Sequence, residues 1–350
     1  MTYVAFIAPV SIISGVPLAV THSASPYITV YSFDSVSGFG TKYTDPSVLP
    51  GDVTHDSAFS PANDAVAVAI DISPLKLVAY QWNATTGFGT KYTDVLPAGH
   101  SFAFATAFSP TGGAVVFGTI GITPYMLAYA WDSGSGFGTK YADPGGTLTS
   151  VISIDFSPSG ADILVGYVGS PYIGAYPWSD GSGFGTKYAN PSSLPAGSGE
   201  HVAFAPSGNA VALAHEVSPF VTAYRWSSGF GTKYSNPSVL PPADADGVSF
   251  SPTGGAIAVA HSTTPFVTVY AWTDASGFGT KYSNPATLPA GRGRAVAFSP
   301  AGDAIVLGHS NSPFITGYPW SDASGFGTKY SDPATLPPGF VRSTRFSNGA

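Results

Sequence analysis

Apolar positions along this chain gather in short runs whose side chains alternate with a period of two between faces that are both largely apolar, and polar positions fall between the runs. In "FVTVYAW", Phe266, Thr268, Tyr270 and Trp272 fall on one face of an extended backbone, and Val267, Val269 and Ala271 on the other. In "AIAVAHS", from Ala256, small and branched residues alternate in the same way. Such runs are four to seven residues long and are bounded by Gly, Pro, Ser or Asp, the pattern of strands and turns. No stretch sustains a helical period. Because both faces are apolar, a sheet built from these strands must be covered on both sides.

The runs recur in one order. The unit "AVAFSPAGDAIVLGHSNSPFITGYPWSDASGFGTKYSDPATLP", from Ala295, holds four strand-like pieces: VAFSP, the Ala/Val run before the histidine, FITGYPW and FGTKYS. Its most constant phrase, GFGTKY, starts at Gly38, Gly87, Gly136, Gly183, Gly229, Gly277 and Gly325. Four-stranded sheets, each packed between two like neighbours, are blades around an axis. The expected fold is therefore all-β, a seven-bladed β-propeller of four-stranded antiparallel blades, one propeller over residues 1–350. The first-strand phenylalanines (Phe59, Phe108, Phe156, Phe204, Phe250, Phe298 and Phe346) also number seven, but they begin one unit late. The C-terminal strand "STRFSNGA" is thus predicted to complete the N-terminal blade and satisfy both open sheet edges. The alternative is a local first strand at "YVAF", from Tyr3.

These residues resemble a known family. "VAFSPxGxAVAVAH…VTVYxW" is similar to the WD-repeat propellers, whose blades carry an FSPDG-like turn and a tryptophan closing the third strand. Trp82, Trp131, Trp178, Trp226, Trp272 and Trp320 occupy that position, with Phe33 in the first blade. The family's Asp after Trp is present only at Asp132, which puts its polar network in question. The phrases "SGFGTK", "NPATLPAG" and "SPFVTAY" also resemble propeller repeats encoded by uncultured tailed bacteriophages.

Composition narrows the function classes. Only 9% of residues are charged and the net charge is −7, so no basic field recruits nucleic acid. The absence of cysteine removes disulfides and thiolate metal sites. The apolar start, "MTYVAFIAPVSIISGVPLAV", has no basic residue before Lys42 and is interrupted by Pro9, Gly15 and Pro17, which argues against a leader or a spanning helix.

GFGTKY reads as an outer strand with its entry turn. Alternation would place Phe, Thr and Tyr on one side and Gly and Lys on the other. Seven of the eight lysines lie in it, an ordinary guard against edge-to-edge pairing. A phosphate loop would need a helix start where "SDPATLP" stands.

Chemistry is sought where the copies differ. In the WD layout the four-to-one loops and the two-three turns share an entry face. His22, His215, His261 and His309 end second strands there, replaced by Ile70, Ile120 and Tyr167 in the other units. Half-buried structural bonding is their simplest role. The candidate binding residues on that face are His55, His100, Glu200, His201, Asp244, Asp246, Arg292, Arg294 and Arg342. Glu200 with His201 reads as solvated loop, and Asp180, Asp274 and Asp322 as turn formers. No Ser-His-Asp arrangement or paired carboxylate stands out, so no catalytic residue, metal or cofactor is expected. The resulting expectation is a non-enzymatic scaffold. The phage resemblance implies a virion or tail-associated role, touching another virion protein or the host surface without nucleic acid or membrane insertion. A glycan-binding lectin is the alternative.

Overall fold

In the computed structural model, residues 15–146 and 148–347 are described, and they contain strands but no helix. The alternative strand at Tyr3 lies outside the described residues. Twenty-eight strands form seven four-stranded antiparallel sheets. Blades 2 to 7 each run in sequence order from the inside out. Their first strands are Thr54–Phe59, Phe102–Phe108, Val151–Phe156, Gly199–Phe204, Ala245–Phe250 and Gly293–Phe298. Blade 1 comprises Val16–His22, Ile28–Asp34 and Gly38–Lys42, and its innermost strand is Val341–Phe346 from the far end of the chain. Leu18 stands opposite Phe346, and Val20 opposite Thr344. The predicted closure is therefore the one observed.

The core lies between blades. Second strands such as Ala256–His261 are buried at every position, because each sheet is covered on both faces. Each tryptophan sits in an aromatic cage. Trp131 meets Phe108 of the first strand, Phe137 of the fourth and Tyr92 of the preceding blade, all edge to face at 5.0–5.2 Å. Phe33 keeps this arrangement in blade 1, against Phe39, Phe346 and Tyr330.

GFGTKY is the joint between blades. Its tyrosine crosses to the next blade: Tyr43 donates to the Ala84 carbonyl, Tyr92 to Ser133, Tyr141 to Asp180, Tyr234 to Asp274, Tyr282 to Asp322, and Tyr330 to Ser35. Its first glycine receives the tyrosine of the preceding copy. A Cβ on Gly136 would lie 2.8 Å from the Tyr92 ring, and one on Gly277 would lie 2.7 Å from Tyr234. Both glycines also have positive φ, +85° and +82°, which favours glycine on backbone grounds alone. The phrase is thus complementary to its own next copy, which explains why both ends of it recur together.

Two details depart from simple alternation. Phe39 stands opposite Phe33 and Lys42 opposite Tyr31, so the fourth strand carries a bulge and Lys42 shares a face with Phe39. The lysines then pair three residues onward, with Asp45, Asp94, Asp143 and Asp332, or with Asn190, Asn236 and Asn284. In blades 4 and 7 the fourth strand shrinks to Gly183–Phe184 and Gly325–Phe326. Pro177 and Pro319 precede the tryptophans there, and a proline has no N–H to continue the ladder.

The post-tryptophan aspartates join neighbouring blades rather than merely forming turns. Asp180 accepts from the Trp178 indole at 2.7 Å and from Ser109 and the Gly113 N–H of blade 3 at 2.9 and 3.1 Å. Asp322 does the same with Trp320 and Ser251. A polar network is therefore present, with the carboxylate two residues after Trp, whereas Asp132 only caps its own turn.

Candidate functional site: the channel mouth

Each first strand is bulged at one position. Between Thr54 and Asp56 the register slips past His55, and equivalent slips pass Phe104, Ile152, Glu200, Asp246, Arg294 and Arg342. Every one of these residues lies four positions before its blade's first-strand phenylalanine. A bulge leaves its extra residue outside the ladder and re-aims its side chain. Here it supplies one side chain per blade to the mouth of the central channel. All seven line a cavity of about 530 Å³.

The ring is sorted by chemistry. Blades 5 and 6 contribute Glu200 and Asp246, blades 7, 1 and 2 contribute Arg294, Arg342 and His55, and blades 3 and 4 contribute Phe104 and Ile152. Asp246 is occupied: Arg292 grips both its oxygens at 2.6 Å and reaches Asp244 at 2.8 Å. Arg294 comes only to 4.0 Å from Asp246. Arg342 makes no ion pair among the described residues; its nearest polar contact is His55 Nδ1 at 3.4 Å. Both arginines lie over the Phe340 ring, at 5.2 and 5.0 Å, and both have a buried Nε without a hydrogen-bond partner. Burial and the Arg294 charge together push Arg342 below the ordinary arginine value. These two guanidiniums are the least neutralised cations of the ring.

Glu200 has the opposite perturbation. Burial, helped by the Asp246 and Glu216 carboxylates, pushes it up to about 7 against the pull of Arg292. Burial holds His55 and His201 down to about 4, helped by Arg342 and Arg345 respectively. His55 stacks on Phe104 at 3.7 Å. Deeper in, Asp155 and Arg345 stand at the waist, shared with a second cavity of about 320 Å³ that opens on the other side. Burial raises Asp155 to about 6, opposed by the Phe204 N–H and Arg345. Arg345 Nε is 3.5 Å from Asp56, which also accepts from Ser343 at 2.7 Å. Among the described residues no group of three His, Cys, Asp or Glu is placed to hold a metal ion.

Of the nine candidate residues, His55, Glu200, His201, Asp246, Arg294 and Arg342 line this cavity. Arg292 and Asp244 buttress it from the rim. His100 stands apart, buried in the loop before blade 3. The solvated-loop reading of Glu200 and His201 is corrected, since both belong to the Gly199–Phe204 strand at the channel. The strand-end histidines are structural: His22, His215, His261 and His309 are fully buried, and each bonds a threonine at 2.9–3.0 Å. Phe104, Ile152, Asp56, Asp155 and Arg345 were missed. Aligning the repeats on their first-strand phenylalanine exposes Phe104 and Ile152 four places before it. It also exposes Asp155 and Arg345, one place before it, where the other blades carry Ala or Ser.

No protein-family model matches the sequence, and a search of curated proteins finds no match. Solved structures do match. A periplasmic gluconolactonase of Pseudomonas aeruginosa has a TM-score of 0.73 at 16% identity, over 95% of this chain and 99% of that one. Two candidate 6-phosphogluconolactonases are similar, from Bacteroides uniformis (TM-score 0.74, 14% identity, 95% and 99% covered) and Bacteroides fragilis (0.75, 13%, 95% and 98%). The shared feature is the fold, a seven-bladed β-propeller. The expectation of a non-enzymatic virion scaffold is corrected by these neighbours, whose names are those of lactonases and not of virion or tail proteins. The lack of a Ser-His-Asp arrangement in the sequence is no argument against an enzyme, since hydrolysis does not require that triad. The sequence reading erred physically as well. It put Glu200, Arg294 and Arg342 together on one face but in loops, whereas they stand at bulges of the first strands and form one ring.

Proposed function

We propose that this propeller is a hydrolase that opens a cyclic ester at the channel mouth. The observation that carries the reading is Glu200, titrating near 7, in the same ring as two arginines that lack close carboxylate partners. A base works best when its pKa lies near the working pH, and Glu200 meets that condition. The names of the structural neighbours agree with this chemistry.

In this mechanism the Glu200 carboxylate takes a proton from water as the water oxygen bonds to the lactone carbonyl carbon. The negative charge that develops on the carbonyl oxygen faces Arg294 and Arg342, whose guanidiniums are held by the fold and need little reorganisation. Collapse breaks the ring C–O bond, and the proton on Glu200 passes to the departing alkoxide. The product is a hydroxy acid, whose new carboxylate also suits the arginines. With His55 and His201 neutral and Asp155 lower at about 6, Glu200 is the cavity carboxyl held nearest to neutral pH.

The test is a panel of lactones followed with a pH indicator above the spontaneous rate, comprising glucono-δ-lactone, its 6-phosphate, and γ- and δ-alkyl lactones. At least one should turn over, and Glu200→Gln should lower kcat by about 100-fold or more, the usual range for a lost general base. A panel with no turnover, or a fully active Glu200→Gln, rejects the assignment.

A further inference from the structure

The mouth has an apolar wall that ester opening alone does not require. Phe104 and Ile152 fill the bulge positions of blades 3 and 4, and Ile120 and Val168 extend the same side of the cavity. Ile120 stands where four other blades end their second strand in a buried histidine. Val168, in the following turn of blade 4, is 48% exposed, and Ile122 in the turn of blade 3 is 44% exposed. Blades 6 and 7 carry Thr263 and Asn311 in the corresponding turns. Among the seven bulge positions, the apolar side chains are those of blades 3 and 4. In a ring of seven, blades 3 and 4 stand opposite blade 7, so this wall faces Arg294 across the channel.

A polyol lactone would place hydroxyls against aliphatic side chains that offer no hydrogen bond, which is unfavourable. Resting on the hydrolase reading, we propose that the substrate is a lactone bearing an aliphatic chain. The chain lies on Phe104, Ile120, Ile152 and Val168, and the ester and its nascent carboxylate lie at Arg294 and Arg342. The ring-opened product is then a carboxylate with an alkyl arm. Simple carboxylates of graded length mimic it without reacting.

Butyrate, hexanoate, octanoate and gluconate are titrated calorimetrically into the full-length protein. Affinity should rise roughly three- to fourfold per added methylene that reaches the wall, with gluconate no tighter than butyrate. Ile152→Ser should flatten that rise. Val168→Ser, at an exposed position, should flatten it partly and guards against a folding artefact at Ile152. No chain-length dependence, an unchanged slope in both variants, or gluconate binding above octanoate overturns the proposal. The two readings fail separately. A chain-length slope without turnover of any lactone removes the hydrolase and keeps the apolar subsite. Turnover of glucono-δ-lactone with no slope does the reverse.

Discussion

The joint between blades makes a quantitative prediction at Gly136. An alanine there would have its Cβ 2.8 Å from the Tyr92 ring, on a backbone with φ of +85°. The left-handed backbone costs a non-glycine residue about 1–2 kcal/mol. Displacing Tyr92 breaks its bond to the Ser133 carbonyl, about 1–3 kcal/mol for groups left unsatisfied. It also breaks the edge-to-face contact with Trp131, about 0.5–1.5 kcal/mol. Gly136→Ala should therefore cost roughly 3–6 kcal/mol. In a Tyr92→Ala background the steric part vanishes and only the backbone cost of about 1–2 kcal/mol remains. The double-mutant cycle should thus report a coupling of about 2–4 kcal/mol, far beyond the few tenths expected of independent sites. The assay is urea unfolding followed by tryptophan fluorescence, comparing midpoints where the slope m is unchanged. Additive costs would show that the tyrosine does not occupy the glycine of the next copy.

Two further predictions concern stability. Asp180→Ala removes the acceptor shared by Trp178, Ser109 and Gly113, and should destabilise by about 2–4 kcal/mol in the same assay; Asp132→Ala, which breaks only a local turn at the surface, should cost well under half of that. The strand-end histidines set the acid limb. Burial lowers His22, His215, His261 and His309 from 6.5 to about 4, so between those values the unfolded chain binds more protons than the folded one. With His55 and His201 also held near 4, the histidines outnumber Glu200 and Asp155, whose raised pKa values act in the opposite sense; stability should therefore fall on balance as pH drops from 6.5 towards 4, and His309→Gln should reduce the slope of the urea midpoint against pH. A midpoint that rises on acidification would contradict the burial of neutral imidazole.

Much of the architecture was readable because repetition converts packing into counting. Seven tyrosine-ended phrases and seven offset phenylalanines sufficed to predict the blades and the strand Val341–Phe346 that closes the ring. Six of the nine candidate residues do converge on one cavity. The site's chemistry was not readable, for a local reason. A β-bulge adds one residue without a compositional mark, so Glu200 looked like loop and Phe104 drew no notice. The same holds at Lys42, where a bulge reverses the face that alternation assigns. Burial was also invisible: adjacent Glu200 and His201 are ordinary as letters, and only the channel wall sends one up to about 7 and the other down to about 4. The WD-like Asp132 drew attention to the wrong position, because here the carboxylate that bonds the indole comes two residues after Trp.

Glu200 acting as a base in the mouth ring is the central proposal. The decisive measurement is kcat/KM against pH for whichever lactone turns over fastest, in the wild type and in Glu200→Gln. The wild-type profile should climb to a plateau through an apparent pKa of about 7, the value at which burial and the Asp246 and Glu216 carboxylates hold this side chain, and the variant should lose both the rate and the inflection. A profile without that inflection, or one that Glu200→Gln leaves in place, contradicts it.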